Sequence, residues 1–259
     1  MTWREHAVSE YKIWDTETFF QENSFDYVEY MVDSWKVWIN MAISELDKLD
    51  SSTIKILTYF SIMDMLSQEY FNYPDKQLQK YFCDFILEFQ DKYKFLELVD
   101  PITLYYHLGE SNKFAQNIGA LESNKNFSPQ DKEIRQFYED IKNGLEIDEK
   151  DFSKLAKKHR YVDLLYRMRC RVTHEFSDAH ILKNSQIRKP YYTKCCREYM
   201  TQTGIRNDKV WQLIFPVGFV KDLCVNCFEN YLKYCIDNHI PPGRNNGMDR
   251  LCELTWYSE

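Results

Sequence analysis

The chain has 259 residues, carries a formal net charge of −7, and is 44% hydrophobic with only 7 Gly and 7 Pro. So few turn-forming residues exclude a sandwich or barrel and favour long helices joined by short links. The acidic balance excludes a whole-surface field for nucleic acid, so any such contact must come from a local basic patch.

No stretch approaches the roughly 18 uninterrupted apolar residues of a membrane helix. The polar start Met1–His6 lacks the apolar core of a signal peptide, so a cytoplasmic protein without membrane contact is the expectation. The eight cysteines are diluted along the chain and read as reduced core thiols, not as a disulfide scaffold.

In chain order, residues 1–23 are mixed and aromatic. A long helix is expected over 24–49, with Ser24 as N-cap and Val28, Met31, Val32, Trp35, Trp38, Ile39 and Ala42 on one inward stripe. A second is expected from Ser51–Ser52 to about Phe71, with Ile54, Leu57, Ile62, Met65 and Leu66 apolar and Pro74 closing it. A third spans about 75–91, with Leu78, Phe82, Phe85, Ile86 and Phe89 inward. Short helical pieces follow near Phe95–Val99 and, after Pro101, over Ile102–Leu108 up to Gly109.

Beyond a polar stretch over 109–127, Ser128-Pro129-Gln130-Asp131 reads as a helix start, with Asn143-Gly144 as its end. The next helix begins near Lys150 or His159 and runs to the His174 region. Tyr191–Cys195 and Val210–Phe215 read as two short strands of a small hairpin, and Pro216 opens a last helix to about Ile236. Its inner face holds Phe219, Val220, Leu223, Cys227 and Tyr231. The fold class is therefore mainly α, a helical bundle with a small β-hairpin near 191–215. The expected division is a helical extension over 1–50, a helical domain over 51–236 and a tail over 237–259.

The chemistry concentrates between Lys154 and Arg171. Lys154, Lys157, Lys158, Arg160, Arg167, Arg169 and Arg171 are opposed there only by Asp163. Such a patch can grip a phosphate backbone inside an acidic chain; the plainer reading is a solvated basic face. On a straight helix Arg167, Arg171, His174 and Asp178 share one stripe, Leu164, Leu165, Met168 and Val172 form the apolar side, and Arg169 lies off the stripe. Arginine grips phosphate with a bidentate fork, and histidine moves protons near neutrality. Together they suit RNA cleavage without a metal, because the 2′-hydroxyl supplies the nucleophile.

The segment Leu165-Tyr166-Arg167-Met168-Arg169-Cys170-Arg171-Val172-Thr173-His174-Glu175-Phe176 resembles the signature of the HEPN superfamily, an Arg followed after four to six residues by a His. Arg169 to His174 matches the four-residue spacing and Arg167 to His174 the six-residue one. The Tyr59–Leu66 stretch resembles the family's early core helix, which often bears an acid where Asp64 stands. Tyr81–Phe89 and Trp211–Leu223 are also similar to many members, so the resemblance covers about residues 51–236. One departure is Cys170, where the family usually has Asn, Asp or His after the motif arginine.

The resemblance implies a HEPN-type helical bundle and a homodimer with its two motifs facing each other. It also implies metal-independent endoribonuclease activity in phage defence or a toxin–antitoxin system, with an antitoxin or defence-system partner. Arg169 and His174 would be catalytic, Arg167, Arg171 and Glu175 would contact the RNA, and no metal or cofactor is implied. Some members are instead non-catalytic RNA- or protein-binding modules. A third reading is a helical scaffold in which Arg171 and His174 pair with buried acids such as Asp64.

Elsewhere the signals are weaker. Cys224-Val225-Asn226-Cys227 has zinc-like spacing but no second pair, and Cys195-Cys196 is poorly placed for one metal; both read as packing. His107 and His159 stand alone in sequence and read as structural or exposed, while His180 could assist His174. No P-loop, GxGxxG or HExxH occurs.

Overall fold

Short oxygen-bearing side chains set where several helices begin. Asp26 Oδ1 accepts the amides of Val28 (2.8 Å) and Glu29 (3.3 Å), and α1 runs over Tyr27–Lys48. Ser51 Oγ accepts the Ile54 amide at 3.3 Å to open α2, Ser52–Phe71. Asn72 ends α2 in the left-handed region at φ 46°, its amide bonded to the Gln68 carbonyl. These side chains satisfy amides that have no partner inside the helix.

The computed structural model describes residues 26–72, 77–108, 114, 117–119, 121, 126–175, 187–201 and 204–243, with positions 175, 196–201 and 204–208 described as backbone alone. Expectations placed on Ser24, Pro74, Gly109, Asp178 and His180 lie outside these residues. After α2 come α3 (Leu78–Phe89), a 3-10 turn (Lys94–Glu97), α4 (Pro101–His107), α5 (Lys132–Gly144), α6 (Glu149–Lys157) and α7 (Tyr161–Glu175). Strands β1 (Tyr191–Thr201) and β2 (Gly204–Ile214) follow, then α8 (Val217–Asp237). Among the described residues the fold is thus mainly helical with one small antiparallel hairpin. Among the described residues no helix is long and apolar enough to cross a membrane.

Several boundaries differ from the sequence reading for identifiable reasons. Ser128-Pro129 forms a turn, and α5 starts only at Lys132. Its cap residue Asp131 turns its carboxylate back to the Ser128 amide at 2.9 Å, so the Ser–Pro signal marks the turn before the helix. The basic helix is two helices, interrupted at 158–160, where the Asp100 amide reaches the His159 carbonyl (2.8 Å) and the Tyr161 amide reaches the Leu98 carbonyl (3.0 Å). The hairpin is longer than its apolar ends suggest, pairing Tyr191 with Ile214 through to Thr201 with Gly204.

The chain divides into two compact units, Met1–Lys48 with Asn230–Glu259, and Leu49–Glu229. In the first, α1 buries Val28, Val32, Trp35, Ile39, Ile43 and Leu46, a helical stripe. Trp38, expected inward, is 54% exposed instead. In the second, α7 packs on α2 and α3, with the Phe82 and Tyr166 ring centres 5.4 Å apart, and Tyr59, Phe60, Phe82, Phe85 and Leu165 are all fully buried. Leu78, also expected inward, and Ile54, read as one of the apolar positions of its helix, sit near the helix starts and are exposed. Of the inner-face residues expected in α8, all five are buried, and Cys224 and Cys227 are wholly buried thiols whose pKa values burial raises.

Candidate functional site

Helix α7 carries the candidate residues, and a chain of buried hydrogen bonds fixes its first turn. Arg135 Nη2 donates to the Tyr161 hydroxyl (2.9 Å) and to the Val99 carbonyl (3.2 Å). The Tyr161 and Tyr192 hydroxyls lie 2.5 Å apart, and Tyr192 donates to Asp100 Oδ1 at 2.6 Å. Asp100 in turn accepts the Ile102 amide at the start of α4. Asp100 is fully buried, and burial raises its pKa against the pull of the Tyr192 hydroxyl. The start of α7 is thereby tied to α4, α5 and the hairpin.

From there α7 runs unbroken to Glu175, so its side chains are sorted by the 3.6-residue turn. Tyr161, Val162, Leu165, Met168 and Val172 are buried. Arg167, Arg171 and His174 are all exposed, one row at i, i+4 and i+7 spanning about 10 Å of helix. The structure therefore brings these three to one face. Glu175 is described as backbone only, at the last turn of the same helix.

Arg169 faces elsewhere. Its Nε and Nη2 both donate to Asp64 Oδ2 of α2, at 2.8 and 2.6 Å, with each side chain 18% exposed. The guanidinium also lies 5.8 Å from the centre of the Tyr166 ring. Burial lifts the Asp64 carboxyl above the ordinary carboxylate value, and the Arg169 guanidinium pulls it part of the way back. Burial likewise pushes the Tyr166 hydroxyl up to about 12, with Cys170 beside it. On an unbroken helix Arg169 and His174 stand about 140° apart. Within one chain they do not face the same space. The acid that pairs with an arginine is indeed Asp64, but the arginine is Arg169 and not Arg171.

The other cations of the cluster also divide. Arg160 Nε meets Asp163 Oδ2 at 2.8 Å, and Gln79 Nε2 meets Asp163 Oδ1 at 3.1 Å, so the single anion of the segment is already engaged. Lys154 pairs on the surface with Asp151. Arg167 Nη2 donates to the Lys158 carbonyl at 2.8 Å, which sets the exposed row against the corner between α6 and α7. Lys157 and Lys158 at that corner are exposed.

The pairing of His107 with His159 is invisible in the sequence, where 52 positions separate them. Their ring centres lie 4.9 Å apart. His159 is 3% exposed, and neither ring nitrogen has a hydrogen-bond partner. Burial, the His107 ring and the Arg167 guanidinium hold its pKa down at about 4, so it is neutral near pH 7. Among the described residues no three His, Cys, Asp or Glu side chains come together as a metal-holding group. No family model, curated protein or solved structure matches this chain.

Proposed function

We propose that the chain is a metal-independent endoribonuclease of HEPN type, working from the exposed row Arg167, Arg171 and His174. The observation that carries the reading is this row. Two arginines and a histidine share one solvent-facing side of a helix whose opposite side is anchored in the core. The His174 imidazole accepts the proton of a ribose 2′-hydroxyl, the O2′–P bond forms, and the P–O5′ bond breaks. The imidazolium so formed returns the proton to the departing 5′-oxygen, leaving a 2′,3′-cyclic phosphate and a 5′-hydroxyl. Arg171 and Arg167 hold the phosphate oxygens on which charge builds. Arg169, held by Asp64, is a positioning residue that locks α7 to α2. The same resemblance carries a homodimer and a setting in phage defence or toxin–antitoxin pairs.

A non-catalytic RNA- or protein-binding module is the second reading, favoured by the commitment of Arg169 to Asp64 and by Cys170 beside it. Labelled RNA incubated with the pure protein in EDTA separates the two. Cleavage that survives EDTA and disappears in His174→Ala supports the enzyme. Binding without cleavage supports the module, and full cleavage by His174→Ala sinks the assignment of His174.

A further inference from the structure

A buried polar side chain without a hydrogen bond destabilises a fold, and a leucine or phenylalanine would fill the same space without that cost. His159 is such a side chain, wholly buried with both ring nitrogens unbonded. It touches another imidazole. The ring of His107, the exposed last residue of α4, lies 4.9 Å from it, centre to centre, and tilted by 57°. Both ends of α4 rest on His159, because the amide of its cap residue Asp100 reaches the His159 carbonyl at 2.8 Å. The His159 amide in turn donates to the Ala156 carbonyl of α6, at 2.8 Å. The exposed His107 ring is thus backed by a second ring that is fixed from both α4 and α6.

The two rings stand at one end of the cationic row. Arg167 Nη2 bonds the carbonyl of Lys158, the residue next to His159, and the Arg167 guanidinium lies near enough to His159 to lower its pKa. Lys157 and Lys158 are exposed at the same corner. Asp163, the carboxylate that faces His159, is already held by Arg160 and Gln79. Burial, then the His107 ring and Arg167, keep His159 uncharged near pH 7, so the ring behind His107 adds π-surface and no further charge. Sites for single-stranded nucleic acid combine cations along the backbone with aromatic faces on which bases stack. Here Arg167 and Arg171 supply the cations and His107 the face.

We propose that His107 is a base-stacking residue, on whose open face a nucleobase of the RNA strand lies beside the phosphate held by Arg167. Every base has a π-face, so the site takes purines and pyrimidines alike. The inference rests on the RNA-binding part of the reading above and not on cleavage, because neither His174 nor the 2′-hydroxyl enters it.

The probe is a fluorescein-labelled 2′-O-methyl RNA of about eight nucleotides, within the span of single-strand sites and without the hydroxyl that cleavage needs. Otherwise identical strands each carry one abasic unit. In anisotropy titrations of the whole chain, His107→Ala is expected to bind about tenfold more weakly than the wild type. His107→Phe, which keeps a flat ring without the nitrogens, is expected to stay within about twofold of the wild type. His107→Gln, which keeps polarity without the ring, is expected to match His107→Ala. An abasic unit at one position is expected to cost the wild type about tenfold and His107→Ala nothing further. Should His107→Ala lose its circular dichroism signal, the same cycle is read on His107→Gln. Wild-type affinity in His107→Ala or His107→Gln overturns the proposal, as does the absence of binding by the wild type. A loss in His107→Phe equal to that in His107→Ala also overturns it, by making His107 a polar contact to the strand. If the cycle holds but the 2′-hydroxyl strand is not cleaved, the nuclease reading fails and the stacking residue stands.

Discussion

The pairing of Arg169 with Asp64 makes the most quantitative prediction. Both donors of Arg169 converge on one carboxylate oxygen, and each side chain is 18% exposed. Hydrogen bonds to charged groups contribute about 1.5–3 kcal/mol net, and stranding one half of a buried pair costs about 3–5 kcal/mol. Partial exposure puts this pair at the low end, so Asp64→Asn and Arg169→Met are each expected to cost about 2 kcal/mol. In a double-mutant cycle the two are expected to couple by about 1–2 kcal/mol. Acidity adds a second signature. Burial raises the Asp64 pKa, and removing Arg169 removes the group that opposes that rise. In Arg169→Met the folded protein then binds a proton more tightly than the unfolded chain, so its stability recovers as pH falls through the folded pKa. Urea unfolding of the four proteins is expected to show the Arg169→Met deficit narrowing by about 1 kcal/mol from pH 7.5 to pH 5. A coupling below about 0.5 kcal/mol, with no pH dependence, would mean that Arg169 and Asp64 do not stabilise each other in the fold.

Three further outcomes follow from the site. His159, depressed to about 4 against about 6.5 when unfolded, stabilises the fold above pH 6.5 and loses up to about 3 kcal/mol as pH falls toward 4. His159→Gln is expected to flatten that part of a pH–stability profile. Tyr192→Phe breaks the chain between Tyr161 and Asp100 and leaves a buried carboxyl short of a donor, an expected loss of about 1–3 kcal/mol by thermal or urea unfolding. Arg167→Ala is expected to weaken RNA binding across sequences and lower the slope of log affinity against log salt by about 0.7, the contribution of one phosphate contact on a single strand.

How much of this was legible in the chain varies with the range of the cause. The faces of α7 were readable because a straight helix sorts Arg167, Arg171 and His174 by spacing alone. The fate of Arg169 was not, because its partner Asp64 lies 105 positions away. Counting seven cations against Asp163 likewise overstated the patch, since Arg169 finds its carboxylate outside the segment. Spacing alone puts Trp38 inward because α1 carries two apolar stripes, and spacing does not say which one faces a core. The hairpin was readable at its apolar ends, but its polar middle from Lys194 to Thr201 is held by cross-strand pairing with Gly204–Trp211, which no local pattern announces. The His107–His159 contact joins the end of α4 to the loop before α7, a juxtaposition that only the tertiary fold creates.

The measurement closest to the central claim is cleavage of end-labelled RNA in EDTA by the wild-type chain and by His174→Ala. The wild type is expected to leave 2′,3′-cyclic phosphate ends, and His174→Ala to lose about 10²- to 10⁴-fold in rate with RNA affinity retained. Wild-type rates from His174→Ala, or no cleavage by the wild type of any RNA that it binds, would contradict that claim.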